Sequence, residues 1–451
     1  MFDWNRAVRT SLIALAGSLL GTTVNAQTTQ SLTQTLRLTA KPGTQSPVII
    51  QTQPRASCVV QPAEGNERAM ARFFADQNGV ARFWVKPSTS GESITRLKVE
   101  CNAAGVVTNH AVEVRTSDSP NSDYPAPSRT PAPSGQARRA LTEKEALSLS
   151  DQELLRRGYP LPPDPQQSPE GYRLWLRAVT RQGVILDPGL MRNPYVRHDY
   201  GHTRSGNSTS NNWSGVELRG SGGPFAWVSA WWNVPSVTGE SNTQTNSSTW
   251  VGIDGDNTND LAQAGTEQDA LGTGGTLVTT YRAWTELLPN QPTESVLTNL
   301  SINPGDQVFT EVWIGSAGGG PSLTAPNPFM VVCMENLTTS GGACFNYTPL
   351  AGTVVGGSEA EWIMERPSTG CDSQGNNCTL ADLANFGNVA VFTTNVLARR
   401  SNSPRHGGYT SCCGNGSFLI DMSSDGTASG TTLDTVNLNG GTINFTWSAF
   451  H

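Results

Sequence analysis

The second half of this 451-residue sequence is nearly devoid of bases. Residues 205–451 contain no lysine, six arginines and two histidines, His406 and His451. Neither histidine sits in an HExxH motif or in a spacing that suits metal ligands. Ser-His-Asp and Cys-His catalysis therefore have few candidate bases here. No GxSxG elbow, phosphate-binding P-loop or GxGxxG dinucleotide fingerprint falls in a strand-to-helix setting. Past the N-terminus, no run approaches the ~20 apolar residues of a membrane-spanning helix. No CxxC pair or neighbouring histidine supports zinc. Charged residues are only 15% of the chain and the formal charge is −7, which argues against a nucleic-acid partner. No metal and no cofactor are expected.

What is present is turn-rich and strand-rich. Glycine (46) and proline (28) are abundant, and the charge is unevenly spread. Residues 1–204 carry 24 basic and 17 acidic groups, whereas residues 205–451 carry 6 and 20. Residues 1–26 read as a secretory signal: Arg6 and Arg9, an apolar run from Ser11 to Gly21, then Val24-Asn25-Ala26 as a small-residue cleavage site. An exported chain makes its eight cysteines disulfide candidates, with Cys58/Cys101, Cys333/Cys344 and Cys371/Cys378 as pairs and the adjacent Cys412 and Cys413 unassigned. Residues 27–117 show short strand-like runs with Trp84 between two cysteines, which predicts an immunoglobulin-like β-domain. Residues 118–139 are a Ser/Pro/Ala-rich linker. Residues 140–204 are basic and helical: Thr142-x-x-Glu145 and Ser150-x-x-Glu153 have the capping-box form. A third helix starts at Ser168-Pro169-Glu170, with Tyr172, Trp175, Leu176 and Val179 on one face. From residue 205 helical periodicity nearly vanishes, and one large antiparallel sandwich or barrel is expected.

Elimination leaves carboxylate, amide and hydroxyl chemistry, hence acid–base hydrolysis. In Glu359-Ala360-Glu361-Trp362-Ile363-Met364-Glu365, period-two alternation places Glu359, Glu361, Ile363 and Glu365 on one face. Three like charges there should raise at least one pKa, unless the face is simply solvated. Tyr281 to Glu286 likewise puts Arg282, Trp284 and Glu286 together.

Several segments in order resemble the glutamic peptidases called eqolisins, over roughly residues 211–395. They are Asn212-Trp213-Ser214-Gly215, Val228-Ser229-Ala230 with Asn233-Val234-Pro235-Ser236, Thr249 to Asp256, Leu261-Ala262-Gln263-Ala264-Gly265, Ala283-Trp284-Thr285-Glu286, Glu335-Asn336-Leu337-Thr338 and Ala360 to Glu365. The resemblance implies an all-β, concanavalin/lectin-like β-sandwich peptidase domain at 205–451, with the active site on one sheet's concave face. It implies Gln263 and Glu365 as the catalytic pair, and Trp250, Asp254, Trp284 and Glu286 as cleft or supporting residues. It also implies a Cys371–Cys378 bridge. Protein or peptide substrates follow, cleaved in acid by a secreted monomer whose basic 140–204 segment is a prosegment lying over the acidic cleft. A carbohydrate-binding lectin-like module, or a glycosidase, stays open as the alternative.

Overall fold

The computed structural model describes residues 34–64, 70–88, 93–119, 135–201, 209–219, 223–256, 258–273, 275–315, 321–325, 328–349, 354–392, 397–401, 409–412, 417–439 and 442–451. The expected signal segment and most of the 118–139 linker lie outside these residues.

Alternation along the strands builds the sandwich. One sheet places Ser417–Ser423, Trp213–Arg219, Glu359–Glu365, Gln244–Ile253, Leu261–Thr273 and Thr276–Leu288 side by side, all antiparallel. Its inward residues include Val216, Val251, Ala264, Ala283, Trp362 and Met364. They share a buried cluster with Val228, Trp232, Val312, Val332 and Met334 from a second sheet. That sheet pairs Phe225–Asn233 with Gln307–Gly315, then Phe329–Asn336 and Gly341–Pro349. Two apolar faces closing on each other leave one outward face per sheet. The expected all-β antiparallel architecture is what forms.

Each outward face is then covered. On the second sheet the outward residues Trp231 and Phe309 pack with Leu141, Ala146, Leu154, Trp175 and Val179. The last four belong to three short helices: α1 (Glu143–Ser148), α2 (Asp151–Arg156) and α3 (Pro169–Val179). Thr142 forms a full capping box with Glu145, and Ser150 accepts from the Glu153 amide. The buried stripe of α3 runs through Gly171, Leu174, Trp175, Ala178 and Val179, leaving Tyr172 and Leu176 partly buried at its margin. Arg138, preceding these helices, is buried in an ion pair with Glu335. The helices thus lie on the sheet opposite the one carrying the candidate catalytic residues. This corrects the expectation that the whole 140–204 segment covers the cleft.

The N-terminal unit is a five-stranded sheet with a separate antiparallel pair, Ser46–Gln51 against Val80–Pro87. Cys58 and Cys101 are bonded, yet they sit opposite each other on adjacent strands of one sheet, Ser57–Pro62 and Ser93–Ala103. They do not bridge two sheets as in immunoglobulins. Trp84 is only half-buried, on the strand face opposite the buried Phe83 and Val85, and its strand is shared: Val80–Pro87 pairs with Thr276–Leu288, registering Trp84 to Thr279 and Pro87 to Thr276. Leu271 and Val278 join the N-terminal core. The two remaining expected bridges, Cys333–Cys344 and Cys371–Cys378, also form. Among the described residues, no helix is long and apolar enough to cross a membrane.

Candidate active site

The outward face of the first sheet gathers the sequence-predicted residues. Odd positions of Leu261–Thr273 (Gln263, Glu267, Asp269), even positions of Thr276–Leu288 (Arg282, Trp284, Glu286) and Ile363 and Glu365 of Glu359–Glu365 share it, each buried. Trp213, Trp250, Leu261, Trp284, Leu288 and Ile363 form a separate apolar cluster there. A purely solvated face for Glu359, Glu361 and Glu365 is ruled out, since none is more than 6% exposed.

Residues 190–201 run through this site as two short strands joined by a turn at Pro194-Tyr195. Leu190–Arg192 pairs antiparallel with Ser295–Leu297, and Val196–Arg197 with Ser368–Thr369. Gly201 then donates its amide to the Gly255 carbonyl. A Cβ at Gly201 would lie 2.4 Å from the Trp213 ring, so only glycine passes at this point.

At the centre sits His198, fully buried. Gln263 Nε2 donates to the His198 carbonyl at 2.9 Å. The His198 amide donates to Glu286 Oε2 at 2.9 Å. The imidazole stacks on Trp284, with ring centroids 3.4 Å apart and planes within 5°. Its Nδ1 lies 2.8 Å from Glu365 Oε2, which also accepts from Trp250 Nε1 at 2.8 Å. Its Nε2 lies 3.2 Å from Glu294 Oε2 and 3.3 Å from Glu267 Oε2. Glu365 Oε1 has no partner among the described residues.

Charge within the site is tightly balanced. Burial penalises the imidazolium, but Glu365 and the hydrogen bonds with Glu267, Glu294 and Glu365 raise the His198 pKa well above its ordinary value. Burial pushes Glu365 up, partly offset by His198. Glu286 is raised strongly by burial, against the pull of His198. Burial also acts on Glu294, yet Arg282 and His198 outweigh it and bring it to about 2. Arg282 spans Glu267, Asp269 and Glu294 at 2.6, 2.6 and 2.7 Å. His198, Glu267 and Glu294 bring three ligand-type atoms within 4.8 Å. The guanidinium already on both carboxylates answers their charge with a protein cation rather than calling for a metal.

Four of the six predicted residues meet at His198: Gln263 and Glu365 with Trp284 and Glu286. Trp250 is one bond further out. Asp254 is placed elsewhere. Its carboxylate accepts the backbone amides of Gly357, Ser358 and Glu359, fixing the turn that launches Glu359–Glu365. Sequence reasoning missed His198, Glu267 and Glu294. Glu267 was recoverable, because it follows Gln263 at strand period. His198 lies in the basic segment, and its arrival at the site depends on the chain's path.

An outward sheet face that grips an extended backbone between an amide and carboxylates defines a peptide-handling cleft. The sequence profile described as the Peptidase A4 family matches residues 211–447. This chain belongs to that family and is a glutamic peptidase, which sets aside the carbohydrate-binding and glycosidase readings. Among solved structures, it is similar to scytalido-glutamic peptidase with a transition-state analog inhibitor, at 23% identity and TM-score 0.41, covering 53% of this chain and 98% of that one. Another is SCP-B, described as an eqolisin in complex with the tripeptide Ala-Ile-His, at 23% identity and TM-score 0.37, with the same coverage. No curated protein matches.

Proposed function

We propose that this chain is a secreted acid endopeptidase, made as a proenzyme, in which Glu365 and Gln263 form the catalytic dyad. One observation carries the reading: the Gln263 amide holds a backbone carbonyl while Glu365 lies against the same residue. Glu365 takes a proton from water through Oε1 as the water oxygen attacks the scissile carbonyl carbon. Gln263 donates to the oxygen as it gains charge, and an amide suits this because it donates without titrating in acid. When the C–N bond breaks, Glu365 returns the proton to the leaving nitrogen. Trp250 orients Glu365, Glu286 holds the substrate amide, and Asp254 sets the turn before the Glu365 strand. Residues 205–451 are the catalytic domain in this reading, and residues 140–204 the prosegment.

The prosegment docks its helices on the far sheet and inserts residues 190–201 into the cleft. As pH falls, Glu365, whose pKa lies above the usual carboxylate range, protonates early and loses its ion pair with His198. The insert is then released or cut. The disulfides Cys58–Cys101, Cys333–Cys344 and Cys371–Cys378 agree with an oxidising destination. The test is digestion of a denatured protein in acid by the wild type and by Glu365→Gln and Gln263→Ala. Both variants are expected to be inactive while folded, and full activity in either would remove the assignment.

A further inference from the structure

We infer that the pocket formed by Trp284, Glu267, Glu294 and Glu365 is the subsite for the residue just before the scissile bond, and that it selects histidine in its imidazolium form. This rests on Gln263 being the oxyanion donor. The carbonyl that Gln263 holds belongs to His198, so His198 occupies the position of the residue whose carbonyl is attacked. Its side chain marks the neighbouring subsite.

The pocket reads an imidazolium feature by feature. The Trp284 ring supplies a flat wall at 3.4 Å, suited to a planar cation. Carboxylate oxygens face both ring nitrogens, Glu365 at Nδ1 and Glu294 with Glu267 at Nε2. Only the doubly protonated ring donates from both nitrogens at once. Arg282 closes the far end, bonded to Glu267 and Glu294. A lysine or arginine side chain is longer, and would press its charge against that guanidinium. Phenylalanine would stack on Trp284 but leave Glu294 Oε2 without its donor and Glu365 Oε2 with Trp250 alone, a costly mismatch. Free histidine titrates at about 6.5, so in acid a substrate histidine arrives already charged.

The same contact bears on the charge of Glu365. A cation at Glu365 Oε2 favours the ionised form and leaves Oε1, unpartnered among the described residues, to accept the water proton. A histidine bound here thus offsets part of the rise that burial imposes on Glu365.

The experiment uses the full-length chain, kept in acid until its digestion of a denatured protein is steady. Peptides identical but for His, Phe, Leu, Lys or Gln before the cleaved bond are compared by kcat/KM. Histidine is expected to exceed each of the others by at least ~10-fold, and Glu294→Gln to bring the His/Phe ratio towards one. Equal or better cleavage after Phe, Leu or Lys in the wild type overturns the subsite, whatever the variant does. An unchanged His/Phe ratio in a folded Glu294→Gln overturns it as well. Activity in Glu365→Gln would instead sink the dyad reading, and no cleavage of any peptide by the wild type would sink both.

Discussion

At the scale of single residues, the proposed mechanism separates holding from reacting. Glu286 and Trp284 grip the amide and ring of His198, whereas Gln263 and Glu365 address the carbonyl and the base position. Losing a grip should raise KM more than it lowers kcat, and losing a reacting group should do the reverse. Gln263→Ala is expected to cost roughly 10²–10³ in kcat, as removal of an oxyanion donor does. Glu365→Gln is expected to cost about 10²–10⁴, the usual share of a general base. Steady-state kinetics on a single peptide checks both, and a KM effect without a kcat effect would reassign the residue to binding. That Gln263 and Glu365 share one buried face was legible because short ordered motifs survive around them. Glu267 and Glu294 were not, since an isolated Glu on a strand looks the same whether it meets water or Arg282 until its neighbours are known.

At the scale of elements, alternation made the strands readable and left their partners hidden. Thr276–Leu288 shows its period in the sequence, but not that its far end pairs with Val80–Pro87 of the N-terminal unit. The helices were legible from Thr142, Ser150 and Pro169, though their destination was not, because an apolar stripe says only that something covers it. The covering is anchored by Arg138, whose guanidinium is bonded to Glu335 and to the Gly158 and Ala178 carbonyls. Arg138→Ala would strand a buried carboxylate, and such losses cost about 3–5 kcal/mol. It should therefore loosen the helices from the second sheet, read as faster amide hydrogen exchange in residues 141–179 and faster limited proteolysis there. The inserted strand makes a second prediction. If residues 190–201 lie in the cleft as a substrate does, brief acid exposure should create a new N-terminus at Asp199, detectable by N-terminal sequencing. His198→Gln should slow its appearance, and an unaltered rate would mean that another bond opens the proenzyme.

At the scale of the whole molecule, the acidic half buries carboxylates whose ionisation opposes folding. Glu217 and Glu361 face each other across paired strands, with Glu359 two residues on and Asp256 nearby. Burial first, then repulsion from Asp256, lifts Glu217 to about 7. Burial and the charge of Glu217 lift Glu359 to about 8, and Glu361, with neither oxygen partnered among the described residues, goes well above its ordinary value. Burial likewise raises Asp434 to about 7 and Glu311 to about 8. Below the unfolded carboxylate range all of these are protonated in both states, and the fold carries no penalty from them. As pH rises, the unfolded chain ionises first and the folded chain only near 7–8, so stability falls across that interval. One group shifted this far withdraws on the order of 3 kcal/mol by pH ~8, against a total of roughly 5–15 kcal/mol for a typical domain. Arg219, paired with Glu217 at 2.8 Å and Asp256 at 2.6 Å, softens the effect without cancelling it. Melting temperature should therefore be highest in acid and drop steadily from about pH 5 to 8. Glu361→Gln should flatten the alkaline limb, raising the melting temperature above neutrality while leaving it nearly unchanged in acid. A melting temperature that rose with pH, or an alkaline limb unmoved by Glu361→Gln, would show that the buried carboxylates do not set the pH dependence of stability.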